Sequence, residues 1–106
     1  MSWPIKRGDR EPAFTSQLLV GGAPVDLTGR TVRFLMRHAQ TGVLKVAAEA
    51  TIVDAESGRV AYEWQEGDTD TVGVYRAEWE VSSAGLRRTF PSRGYLHIEV
   101  VQDLDN

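Results

Sequence analysis

Asp68-Thr69-Asp70-Thr71-Val72-Gly73-Val74-Tyr75-Arg76-Ala77-Glu78-Trp79-Glu80-Val81 decides how this chain folds. An acidic, threonine-bearing turn runs into Gly73-Val74-Tyr75 and then into strict alternation. On an extended strand Tyr75, Ala77, Trp79 and Val81 share one face, and Arg76, Glu78 and Glu80 share the other. A glycine two residues before a tyrosine at a strand entrance is the pattern of a tyrosine corner. There the ring packs inward and its hydroxyl bonds the backbone a few residues upstream. In antibody domains a cysteine follows two residues after that tyrosine; here Ala77 holds the position. The stretch predicts a disulfide-free, immunoglobulin-like sandwich.

The same two-residue period recurs outward from this stretch. Strands are predicted at 3–7, 13–20, 31–38, 43–50, 51–54, 59–64, 73–82, 86–90 and 95–101, with turn signals between them. Val32, Phe34 and Met36 face inward on one strand, Val60, Tyr62 and Trp64 on another, and Leu96, Ile98 and Val100 on the last. Val25 and Leu27 lie in a turn-rich connection and still face the core. Residues 43–50 are ambiguous: Ala47-Ala48-Glu49-Ala50 favours helix by propensity, but the segment is short and uncapped and is read as a strand. The fold class is therefore all-β, an Ig-like antiparallel β-sandwich of about seven to nine strands.

The totals agree. A chain of 106 residues fits one domain. Residues 1–102 are read as a single β-sandwich domain and 103–106 as a frayed acidic tail, which makes the chain look like a complete small protein. No cysteine is present, so no disulfide framework or thiolate chemistry is available. The first residues have no apolar core of the kind a secretion signal needs. No apolar run approaches the roughly 20 residues that span a bilayer. Net charge is -3, with both signs interspersed, so no basic stripe points to nucleic acid.

Reactive constellations are scarce. His38 and His97 are the only imidazoles and stand in no metal-binding motif. Glu66, Asp68 and Asp70 form an acidic loop, but the spacing of a calcium-binding loop is missing. Carboxylates and threonines there suit bonds to the loop's own backbone. No nucleophile elbow and no phosphate-binding glycine loop occurs. No catalytic, cofactor-binding or metal residues are assigned, and the chain is read as not an enzyme. Trp64 and Trp79 belong to the core by alternation; Trp3, near the chain end, suits an interface anchor. Arg87, Arg88 and Arg93 form a basic cluster suited to the acidic loop or to an acidic neighbour.

Four blocks, in order, carry a resemblance. Ile5-Lys6-Arg7-Gly8-Asp9 is the first. Pro24-Val25-Asp26-Leu27-Thr28-Gly29 leads into Thr31-Val32-Arg33-Phe34-Leu35-Met36-Arg37. Gly58-Arg59-Val60-Ala61-Tyr62 leads to Gly67-Asp68-Thr69-Asp70 and Gly73-Val74-Tyr75-Arg76-Ala77-Glu78. Thr89-Phe90-Pro91 precedes Gly94-Tyr95. The chain resembles small tailed-bacteriophage structural proteins similar to the N-terminal domain of the baseplate upper protein family.

The resemblance implies an Ig-like sandwich that attaches a component to the virion, without catalytic residues. Longer members continue into receptor-binding parts that this chain lacks, so docking, bridging or decoration is the role that transfers. The expected function is that of a non-enzymatic virion structural protein at the tail, baseplate or connector. Capsid decoration and carbohydrate binding are the alternatives. Expected partners are other virion proteins in a multi-copy or homo-oligomeric assembly, with no nucleic acid and no membrane. Expected localisation is the virion, assembled in host cytoplasm. The interface is expected at Trp3, Ile5, Arg7, Asp68, Asp70, Phe90, Arg93 and Tyr95.

Overall fold

The computed structural model describes residues 2–104. Among them are eleven strands and no helix: β1 (Trp3–Lys6), β2 (Phe14–Gln17), β3 (Leu19–Val20), β4 (Ala23–Pro24), β5 (Thr31–His38), β6 (Leu44–Glu49), β7 (Thr51–Asp54), β8 (Arg59–Tyr62), β9 (Gly73–Ser83), β10 (Leu86–Phe90) and β11 (Leu96–Val101). The count exceeds the expected seven to nine because β3 and β4 form an added hairpin of two-residue strands. Gly21 and Gly22, at φ 59 and 84, close it with the left-handed turn that a two-residue hairpin loop requires.

Two layers form the sandwich. The larger sheet runs β1-β11-β9-β5-β6, with β10 also on β9; the smaller runs β2-β8-β7. One pairing departs from the all-antiparallel expectation. β1 lies parallel to β11, with Trp3 opposite Ile98 and Ile5 opposite Val100. Parallel neighbours need a long connection, and these two strands come from opposite ends of the chain.

The strand expected over 13–20 breaks at Leu18. Its amide donates to Gly58 O at 2.8 Å and its carbonyl accepts from Val25 N at 2.9 Å, which turns the chain out of the smaller sheet. This crossing needs Gly58: a Cβ there would lie 2.7 Å from Leu18 O and 2.8 Å from Val25 O. The alanine-rich segment is a strand because β5 dictates it. Leu35 faces Ala47 and Phe34 faces Ala48, and this pairing overrides local helix propensity. The chain then passes through Ala50, whose amide donates to Val32 O at 2.8 Å, into β7 of the other sheet.

The core is aromatic and bridges the layers. Phe34 is fully buried and stacks on Tyr62 at 4.8 Å, with Trp79 at 5.0 Å and Phe14 at 5.6 Å. Phe14 and Tyr62 come from the smaller sheet, Phe34 and Trp79 from the larger. Each ring withdrawn from water contributes roughly 1.5–3 kcal/mol. Trp79 Nε1 donates to Ser16 Oγ at 2.9 Å, so the indole enters the core with its polar atom satisfied. Every inward residue named from the alternation is buried except Leu96, which packs against the core while half-exposed.

Candidate functional site

The tyrosine corner forms as the sequence predicts. Tyr75 is buried, and its hydroxyl donates to Thr71 O at 2.7 Å. It anchors the acidic loop at one end of the sandwich. Thr69, also buried, donates through Oγ1 to Asp9 O at 2.8 Å and accepts from Gly8 N at 2.9 Å. Asp68 accepts hydrogen bonds from the Tyr62 hydroxyl and from Gln65 N. Asp70 accepts from Lys45 and from Thr71 Oγ1.

These bonds set the electrostatics of the loop. Burial, then the Asp68 carboxylate, push the Tyr62 hydroxyl well above the ordinary tyrosine value. Burial likewise raises Tyr75. Lys45 and Thr71 hold Asp70 below the usual carboxylate range. The loop's carboxylates thus serve its own structure. Among the described residues, no group of three or more His, Cys, Asp and Glu could hold a metal ion. His38 Nδ1 accepts from the amides of Gln40 and Thr41, which fixes the imidazole in the turn after β5.

A second feature interrupts the larger sheet. β10 and β11 pair with the same side of β9, end to end: Phe90 faces Trp79 and Leu96 faces Ala77. Residues 91–95 therefore stand opposite Glu78 alone and bulge out of the sheet. β1 covers β11 but not β10, so the outer edge of β10 carries unpaired backbone groups. Leu86, at 77% exposure, opens that edge. A crevice of about 230 Å³ lies beside it between the two sheets, lined in part by Leu18, Leu19, Phe90, Pro91 and Leu96. The arrangement offers backbone donors and acceptors next to an apolar slot. That is the chemistry for adding a strand from another chain and burying one of its side chains.

The eight expected interface residues fall into distinct settings. Ile5 and Phe90 are buried and point into the core, since their strand positions are inward-facing. Trp3 is half-buried, stacked on Trp64 at 6.0 Å and edge-on to Phe14 at 5.2 Å. Asp68 is taken up by the loop. Arg7 pairs with Asp103 at 3.6 Å, at the same end as Asp70; of the expected tail, 105 and 106 lie outside the described residues. Arg93 and Tyr95 lie together on the bulge at 91–95.

The basic cluster does not meet the acidic loop. Arg87 turns to Glu80 at 3.7 Å, Arg88 sits over the Phe90 ring, and the loop's cation is Lys45. Of this site, Phe90, Arg93 and Tyr95 were legible from the sequence; the free β10 edge and the crevice beside it were not. The signal available was the Arg87-Arg88 hairpin strand ending at Pro91, and the five-residue offset that makes it an interrupted edge depends on register.

Comparison with known proteins places these features in context. The model of the BppU N-terminal domain family matches residues 5–105. The chain is similar in structure to the N-terminal domain of phage TP901-1 ORF48, with a TM-score of 0.68 and 18% identity over 94% of this chain and 84% of that one. No curated protein matches the sequence.

Proposed function

This chain belongs to the BppU N-terminal domain family, a structural family of the phage baseplate, and on that premise we propose that it is a non-enzymatic docking module of the virion. The family gives it a tail or baseplate structural role. The finer reading is that it attaches to other virion proteins through the free β10 edge, the adjoining crevice and the bulge at 91–95. The single observation that carries this reading is the interrupted edge itself. It is an uncovered strand with apolar space beside it, in a fold that otherwise covers its core.

Physical reasons favour such an edge in a virion. Main-chain hydrogen bonds supply affinity with little demand on side-chain identity. Multiple copies on one particle raise the effective concentration of each weak contact. A small interface then holds. Assembly in host cytoplasm suits a chain without cysteines.

The absence of cysteine also provides the test. A single Leu86→Cys substitution, carrying a thiol-linked photocrosslinker, probes the edge without disturbing a buried side chain. In assembled virions it should capture another virion protein. A Val53→Cys control, exposed on β7 of the other sheet, should capture far less. Capture from position 53 but not from position 86 would assign docking to the opposite layer and overturn this reading.

A further inference from the structure

The outer face of the larger sheet carries a row of basic side chains in which Arg37 and Arg76 hold the charge. Cross-strand register sets Arg37 of β5 directly opposite Arg76 of β9, and Arg76 directly opposite His97 of β11. All three neighbours point away from the core, because Met36, Tyr75, Ala77 and Ile98 between them point inward. Like charges placed directly opposite on neighbouring strands repel. Neither guanidinium forms an ion pair among the described residues. Arg37 donates to a neutral acceptor, Gly42 O, at 2.9 Å, and Arg76 lies over the Tyr95 ring at 5.3 Å. The chain as a whole is acidic, at net charge -3, so this row runs against its overall balance.

Arg37 and Arg76 line an open groove of about 430 Å³, together with the apolar side chains of Leu35, Leu44 and Ala47. Leu44 is nearly half exposed there. We propose that this groove binds an extended acidic segment of a partner protein, with carboxylates on Arg37 and Arg76 and an apolar side chain over Leu35 and Leu44. The geometry fits that occupant. Two guanidiniums on adjacent strands present forked donors suited to carboxylates, and the neighbouring apolar row suits the alternate residues of an extended chain. Glu78 lies on the same face opposite Leu35, so the partner's carboxylates belong at the Arg37–Arg76 pair and its apolar side chain beside Leu35 and Leu44. This deepens the docking reading by naming a partner chemistry for a second face. Its test needs no virion, so it can fail while the β10 edge reading stands.

The probe is a short synthetic peptide of alternating glutamate and leucine, titrated into the intact chain and followed by the NMR signals of the arginine Nε–H groups. The peptide should shift Arg37 and Arg76. Arg76→Glu should weaken binding about tenfold or more while leaving the melting temperature of the free chain little changed, because the lost contact with the Tyr95 ring is offset by removal of the like-charge contact with Arg37. If Arg76→Glu fails to fold, Arg37→Gln makes the same test from the neighbouring strand. The proposal is overturned if the peptide leaves both arginine signals unmoved or binds the variant as tightly as the parent. It also falls if a lysine–leucine peptide binds equally well, or if oligothymidylate outcompetes the acidic peptide, which would make the row a nucleic-acid contact.

Discussion

Removing one oxygen from the tyrosine corner isolates its contribution to the fold. Tyr75→Phe keeps the buried ring and deletes only the hydroxyl that donates to Thr71 O at 2.7 Å. A neutral intramolecular hydrogen bond contributes about 1 kcal/mol net. Thr71 is exposed, so water can take over its carbonyl and the loss stays at that level. For a domain of this size, ~1 kcal/mol lowers the melting temperature by roughly 4–8 °C. Tyr62→Phe is the internal comparison. Its hydroxyl donates to the Asp68 carboxylate, and bonds to charged groups contribute about 1.5–3 kcal/mol. Urea denaturation monitored by tryptophan fluorescence should rank the variants wild type, Tyr75→Phe, Tyr62→Phe in falling stability, with unchanged slopes. A Tyr75→Phe variant as stable as the parent, or less stable than Tyr62→Phe, would refute the reasoning about which hydroxyl holds the acidic loop.

Further outcomes follow from other sites. Gly58→Ala should destabilise by about 3 kcal/mol or more by denaturant titration, because strained positive φ is joined by two backbone oxygens inside 3 Å; Gly21→Ala, with open space around it, should cost only about 1 kcal/mol. Leu27→Ala empties a fully buried site in the connection before β5 and should cost about 2–5 kcal/mol in the same assay. At alkaline pH, Tyr62 and Tyr75 keep their protons in the folded state above the ordinary value of 10.0. Their stabilisation is therefore complete below pH ~10 and is lost as pH rises through the raised values; absorbance titration should show delayed tyrosinate formation, ending in unfolding. Asp26 and Asp70 are shifted the other way, so their contribution is present above the usual carboxylate value of 3.8 and is lost as pH falls through the depressed values, in acid unfolding curves.

Much of the fold was legible because burial on one face forces a period of two. β5 and β10 occupy the expected residues, and the tyrosine corner follows from Gly73 and Tyr75 alone. What stayed hidden depends on pairing between distant strands. Nothing local in Trp3 to Lys6 tells that β1 runs parallel to β11. Leu18 continues an alternating pattern, yet Gly58 and Val25 turn it out of its sheet. The helix propensity of Ala47 and Ala48 is overruled by β5. The site was less legible still. Ile5 was expected at an interface, but its strand position faces inward; Phe90 is buried too, yet it lines the crevice beside β10. The row Arg37, Arg76 and His97 comes from three strands separated in sequence, and only cross-strand alignment assembles it. Chemistry-bearing residue types can be read from a chain, but their convergence on one surface is a property of register.

The central claim is that this sandwich serves the phage particle as a baseplate docking module. A reconstruction of the assembled virion tests it most directly. The account predicts density for this fold at the tail tip, with a neighbouring chain against the β10 edge. Density for the fold on the capsid shell, or particles that lack the protein altogether, would contradict it.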